Sequence, residues 1–175
     1  GLFFGGHGPS RTAQILDAEL PKLLKGCERV LHIDFHTGLG KAATYKLFVD
    51  HAWGSEGAEA LGHDFGDEVV EPWEPEQGTS YAISGGLGSW CKSRFPELEY
   101  DVLAAEFGTV HIVKILRALR EENRAWHWGR RDDVSSIKAR SALKEAFAPA
   151  DPNWRHKCVQ QGVDIVGQAI EAISS

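Results

Sequence analysis

Three stretches of the chain carry hydrophobic patterns that predict β-strands. In Ala43–Val49 apolar and polar positions alternate, as on a strand with one buried face. The segments at about Arg29–Phe35 and Tyr100–Phe107 are short and mostly apolar, which is typical of buried strands. A shorter edge strand is predicted at Glu68–Val70.

Helical periodicity fills most of the remaining chain. Apolar residues recur every three or four positions from His111 to Trp128, with arginine and glutamate on the other face. The predicted helices run from Ser10 to Gly26 with a new turn or a kink at Pro21, from Ser55 to Leu61, from Leu87 to Phe95, from His111 to Trp128, from Ser135 or Ser136 onward, and from Asp151 onward. Strands that alternate with helices predict one layered α/β domain over residues 1–175.

Composition narrows the class of protein. The chain has 175 residues, of which 42% are hydrophobic and 25% charged, as in an ordinary soluble domain with a core. Its net charge of −6 argues against a nucleic-acid partner and against an anionic membrane surface. No apolar run approaches the roughly 20 residues that a membrane span needs. The sequence does not indicate an oligomeric state.

The cysteines and the first residues bear on where the protein acts and where it begins. Three cysteines lie far apart without a CxxC pair, which disfavours a zinc knuckle and a disulfide framework. An odd count suits a reducing compartment, so we expect a cytoplasmic protein, with a secreted protein carrying one free thiol as the alternative. The chain lacks methionine and opens on GLFFGGHGP, which is typical of the middle of a domain. We therefore expect the natural protein to extend N-terminal to Gly1.

His36, in the stretch LHIDFHTGLG, is the first candidate for chemistry. It follows a predicted buried strand and precedes a glycine-rich loop, and open α/β folds build sites at such carboxyl ends of strands. Asp34 lies two residues earlier and so on the same strand face, where a carboxylate can orient a metal-binding imidazole. The alternative is an ordinary strand-end histidine that faces solvent or bonds a backbone carbonyl.

Two further side chains stand out by their positions. Glu106 ends the apolar run at Tyr100–Phe107, and partial burial there raises the pKa of a carboxyl group towards the range of a general base. The alternative is a strand-end carboxylate that leans into solvent or pairs with an arginine. Tyr81 precedes the double glycine Gly85–Gly86 and could move over a pocket as a lid or hydrogen-bond donor. The alternative is a packed aromatic side chain before a tight turn.

Together these segments resemble the zinc metallocarboxypeptidase superfamily. The resemblance rests on DFHTGLG at Asp34–Gly40, SYAISGGLGSW at Ser80–Trp90 and EFGT at Glu106–Thr109. The opening GLFFGG and the segment AFAPADPNWR at Ala146–Arg155 are similar to an uncharacterised bacterial branch marked by the His-Thr-Gly-Leu-Gly loop. The resemblance covers nearly the whole chain and implies a three-layer α/β/α fold around a mixed, twisted sheet.

The resemblance also implies roles for individual residues. His36 matches the last zinc-binding histidine, Glu106 the glutamate that activates the metal-bound water, and Tyr81 the tyrosine that closes over the substrate. The other two zinc ligands of the superfamily come from a His-x-x-Glu motif, which this sequence lacks, and its carboxylate-binding arginines also lie upstream. A catalytic zinc needs about three protein ligands. We therefore expect either the C-terminal part of a longer catalytic domain or a degenerate relative without metal.

The function expected from these residues is zinc-dependent hydrolysis of an amide bond. The substrate would be a peptide or an acylated amino acid, because relatives in the superfamily act on both. Glu106 would be the general base, His36 a zinc ligand, Asp34 its orienting partner and Tyr81 a substrate contact. The alternatives are a non-catalytic α/β module that binds a peptide or small acid, and an inactive fragment that lacks the other zinc ligands.

Overall fold

A computed structural model describes residues 7–73 and 86–174 of the chain. Within these ranges it contains six α-helices and four β-strands. The helices are α1 (Arg11–Leu23), α2 (Glu56–Phe65), α3 (Leu87–Ser93), α4 (Ile112–Trp128), α5 (Val134–Phe147) and α6 (Pro152–Ser174). The strands are β1 (Arg29–Gly38), β2 (Tyr45–Val49), β3 (Val70–Pro72) and β4 (Glu99–Gly108).

The four strands form one mixed sheet in the order β1-β4-β2-β3. β1 pairs with β4 in parallel, β2 pairs with β4 antiparallel, and β2 pairs with β3 in parallel. β4 therefore has a strand on each side, which agrees with its almost continuous apolar sequence and its buried side chains. The alternation of strands and helices confirms the predicted α/β fold.

Each face of the sheet carries its own helices. On one face Leu47, Leu103 and Phe107 pack in a core cluster that also contains Leu61 of α2 and Ile165 of α6. Packing of these side chains removes apolar area from water, which stabilises the fold.

The opposite face has a second core cluster. Tyr100 and Val102 of β4 pack there with Cys91 and Phe95 of α3, and Leu20 of α1 lies against the same cluster. The sheet is thus the middle of three layers, with α2 and α6 on one side and α1 and α3 on the other.

The helices α4 and α5 form an antiparallel hairpin after β4. Ile115 and Ala118 of α4 pack against Ala146 of α5 in a third cluster, which also includes the partly buried Phe147. Phe147 is close to the end of β1, since a Cβ atom built on Gly38 would lie 3.1 Å from its ring. The hairpin therefore approaches the carboxyl end of β1.

Several element boundaries differ from the sequence-based prediction. Ser10 and Ser55 cap their helices as predicted, because their hydroxyls accept from the amides of Ala13 and Ala58. The helix α1 continues through Pro21 and ends at Leu23, so no new turn begins at Pro21. The edge strand lies two residues later than predicted, at Val70–Pro72.

The largest difference concerns β1. The predicted strand ends at Phe35, but β1 continues to Gly38 because Thr37 and Gly38 stay paired with Phe107 and Gly108 of β4. His36 consequently lies inside a strand and not in a loop. No helix in the described ranges is both long and apolar enough to cross a membrane.

Candidate active site

The register of β1 on β4 brings the predicted residues together. The two strands are parallel, and the Cα atom of His36 is paired with that of Glu106. Asp34 is paired with Ala104, one pleat earlier. Side chains of paired residues lie on the same sheet face, and so do residues two apart on a strand. Asp34, His36 and Glu106 therefore share one face at the carboxyl end of the two strands.

His36 and Asp34 form a close polar pair. The distance from His36 Nε2 to Asp34 Oδ2 is 2.8 Å, and the side chains keep 50% and 32% of their accessible surface. A carboxylate beside Nε2 favours a proton on that nitrogen, which leaves Nδ1 with its lone pair available. The imidazole is thus oriented and accessible from solvent, as a metal-binding or proton-transferring histidine must be.

Glu106 is held by the residue that directly follows the neighbouring strand β1. Its Oε1 accepts a hydrogen bond of 2.7 Å from the backbone amide of Leu39. Burial raises the pKa of the Glu106 carboxyl above its ordinary value of 4.5, against the opposing effects of the Leu39 amide and of His36. A carboxylate with a raised pKa and one fixed oxygen is suited to accept a proton near neutral pH.

The glycines beside these residues permit a close approach of the backbone. Gly38 has a φ of +144° and Gly40 one of +106°, values that L side chains rarely adopt. A Cβ atom on Gly108 would overlap the carbonyl oxygen of Lys41. The segment after His36 can therefore fold back over the end of β4 only because these positions are glycine.

Two hydrogen bonds from other elements fix this segment. The indole Nε1 of Trp154, near the start of α6, donates to the carbonyl of Gly108 at 2.8 Å. The hydroxyl of Thr109 donates to the carbonyl of Gly38 at 3.2 Å. The sequence patterns indicate no role for Trp154, Thr109 or Gly108, although all three lie in segments that carry the resemblance.

His32 extends the polar row along β1. Its Nδ1 lies 3.0 Å from the hydroxyl of Tyr100, and burial lowers the His32 pKa, with Asp34 acting in the opposite direction. The His32 side chain is half-buried and lies on the same sheet face as Asp34 and His36. Tyr81, the predicted substrate contact, lies outside the described residues.

Whether this site can hold a metal ion depends on how many side chains offer it a donor atom. His36 offers one neutral nitrogen, and Glu106 lies opposite it. Among residues 7–73 and 86–174 no group of three or more His, Cys, Asp or Glu side chains is arranged to hold a metal ion. The described residues therefore offer one imidazole nitrogen, from His36, and a neighbouring carboxylate, which is fewer than the three protein ligands that a catalytic zinc ion needs.

Comparisons with known proteins identify the family but no activity. A family model described as "Protein of unknown function (DUF2817)" matches residues 1–161. No curated protein matches the chain, and no solved structure does. The match spans nearly the whole sequence, including both strands that form the candidate site. The chain belongs to this DUF2817 family of proteins of unknown function.

Proposed function

We propose that this protein is a zinc-dependent hydrolase that cleaves an amide bond, and that its family belongs to the zinc metallocarboxypeptidase superfamily. The observation that carries the proposal is the pairing of His36 with Glu106 on adjacent parallel strands, with Asp34 2.8 Å from the His36 ring. An oriented imidazole and a neighbouring carboxyl group of raised pKa are two of the groups that metal-assisted hydrolysis needs.

Each side chain has a distinct role in the proposal. His36 would hold the metal through Nδ1, and Asp34 keeps the ring in place through Nε2. A zinc ion held there would act as a Lewis acid, which would polarise the scissile carbonyl and lower the pKa of its bound water to roughly 7. Glu106 accepts the proton of the attacking water and returns it to the leaving amine, while the Leu39 amide keeps its Oε1 fixed.

The remaining zinc ligands lie outside the described residues in this proposal. The superfamily takes them from a His-x-x-Glu motif, which residues 1–175 do not contain. The substrate is a peptide or an acylated amino acid, and Tyr81 contacts it. We also propose a cytoplasmic location, because the three cysteines are free thiols.

Hydrolysis by the natural full-length protein tests the proposal. Zinc-loaded protein is assayed against a panel of N-acyl amino acids and short peptides, beside Glu106→Gln and the surface control Glu97→Gln. We expect Glu106→Gln to lower kcat by about 10²–10⁴-fold with its zinc retained, and Glu97→Gln to leave kcat unchanged.

Two results would contradict the proposal. Equal activity of Glu106→Gln and the unsubstituted protein would exclude Glu106 as the general base. Saturable binding of the same compounds by zinc-loaded protein without turnover would favour the alternative, a non-catalytic α/β module that binds a peptide or small acid.

A further inference from the structure

A groove runs along the hairpin of α4 and α5, away from the candidate active site. Its volume is about 550 Å³, within the range of cavities that bind ligands. Its floor is formed by small side chains from both helices, namely Ala118, Ala139, Ala142 and Ala146. Small residues let another backbone approach closely, so the floor suits a packed polypeptide segment better than a bulky ring.

The rim of this groove is basic although the protein is acidic overall. Lys114, Arg117 and Lys138 line it, and within the described part of the chain none of them pairs with a carboxylate. The two carboxylates in the lining are engaged already. Glu121 pairs with Arg124 at 2.7 Å, and Glu145 accepts from a backbone amide at 3.0 Å. Three cations are thus left without a partner among the described residues, on a chain of net charge −6.

A buried hydroxyl lies at one end of the groove. A second cavity of about 240 Å³ shares Glu121 and Arg124 with the first and is also lined by Ser136. Ser136 is 1% exposed, and its Oγ has no hydrogen-bond partner among the described residues. A buried polar group without a partner costs free energy. A ligand that reaches this end of the groove would satisfy it.

We infer that the α4–α5 groove binds an acidic peptide segment of a partner protein. Carboxylates of the segment pair with Lys114, Arg117 and Lys138, and its small or aliphatic side chains cover the alanine floor. One polar group of the segment bonds the hydroxyl of Ser136. The α4 residues that line the groove and the adjoining second cavity run from Lys114 to Trp128, a distance of about 20 Å, which a helical segment of about fourteen residues matches.

The lining favours a peptide over a nucleic acid. Glu121 and Glu145 lie among the cations, and a continuous phosphate backbone would be repelled by both of them. A peptide can place its carboxylates opposite the three cations and leave neutral residues opposite the glutamates. The inference is independent of the hydrolase proposal, because no residue of the groove belongs to the candidate active site.

Fluorescence anisotropy with defined probes tests the inference. The probes are a labelled fourteen-residue helical peptide with glutamate and leucine at helical spacing, the same peptide with lysine for each glutamate, and a single-stranded oligonucleotide of equal length. We expect saturable binding of the acidic peptide alone. The variant Arg117→Glu/Lys138→Glu should weaken this binding at least about tenfold, because both reversed charges repel the peptide.

Two variants separate binding from folding. Lys25→Glu/Lys157→Glu makes the same change of net charge at exposed positions outside the groove and should leave the affinity unchanged. Ser136→Ala should weaken peptide binding while the melting temperature stays equal or rises, since the substitution removes an unsatisfied buried hydroxyl.

Three outcomes would overturn the inference. They are binding of the oligonucleotide at least as tightly as the acidic peptide, no binding of the acidic peptide at millimolar concentration, and equal affinity of the groove variant and the matched surface variant.

Discussion

Asp34 Oδ2 lies 2.8 Å from His36 Nε2, and both side chains project from the same face of β1. This contact orients the imidazole from a neighbouring position on its own strand. The strand pairing to β4 holds both residues in register, so the geometry depends on the sheet and not on a loop. A site built on paired strands keeps its side chains in fixed relative positions.

Loss of the Asp34 carboxylate is expected to weaken metal binding. In Asp34→Asn the imidazole loses the charge beside Nε2, and zinc affinity of the natural full-length protein should fall about 10–100-fold. Competition with a chromophoric chelator measures this change. Asp64→Asn is the matched control, since Asp64 lies 3.4 Å from the exposed His63 on α2. Equal zinc affinities of the two variants would contradict the orienting role of Asp34.

Gly108 is expected to be intolerant of any side chain. A Cβ atom there would overlap the carbonyl oxygen of Lys41, so Gly108→Ala forces two backbones apart and should lower the free energy of unfolding by about 1–3 kcal/mol. Gly167→Ala on α6 is the control, because nothing lies within 4 Å of its added Cβ atom. That helix position should gain up to about 1 kcal/mol. Urea denaturation measures the free energy of unfolding of both variants. Equal changes in Gly108→Ala and Gly167→Ala would contradict the close backbone contact at Gly108.

The pH dependence of stability reports on Glu106. The pKa of Glu106 is raised above 4.5 in the folded protein. At pH values between 4.5 and the raised pKa, the folded state therefore keeps a proton that the unfolded chain has lost. The free energy of unfolding therefore falls as the pH rises through this window. Glu106→Gln cannot ionise and should lack this fall.

Urea denaturation of metal-free protein at about pH 4 and about pH 7 measures the effect. The stability of the unsubstituted protein relative to Glu106→Gln should be greater at the lower pH. An equal or smaller advantage at the lower pH would show that Glu106 is not desolvated in the folded state.

The hydrogen bond between Tyr100 of β4 and His32 of β1 is expected to stabilise the folded protein. Tyr100→Phe leaves His32 Nδ1 half-buried without its partner at 3.0 Å, which should cost about 1–3 kcal/mol of unfolding free energy. Tyr45→Phe is the control, because the Tyr45 hydroxyl forms no hydrogen bond with the described residues. Thermal denaturation compares the two variants, and an equal loss in both would argue against a stabilising Tyr100–His32 bond.

The sequence predicted the elements better than the way in which they pair. Helical periodicity located α4 closely, since the signal is local and long. The pairing of His36 with Glu106 depends on β4 lying beside β1 while β2 lies beyond it, and the order of strands in a sheet is not a local property. From the sequence, only the resemblance to zinc metallocarboxypeptidases indicated that His36 and Glu106 belong to one site. Their spacing along the chain did not.

The end of β1 shows why the boundary prediction was wrong. The residues His36–Lys41 are predicted as a loop because Gly38 and Gly40 are turn-forming in isolation. Pairing with Phe107 and Gly108 overrides that preference as far as Gly38. The indole of Trp154 then bonds the Gly108 carbonyl from a distant helix, a contact between remote residues that no local pattern indicates.

The zinc content of the natural full-length protein tests the central claim most directly. Atomic emission analysis of the purified, zinc-equilibrated protein should give about one zinc per chain. The variant His36→Ala should lose the metal, Glu106→Gln should keep it, and the exposed control His63→Ala should keep it. Absence of bound zinc from the folded, unsubstituted protein, or full zinc content in His36→Ala, would contradict the account of His36 as a metal ligand.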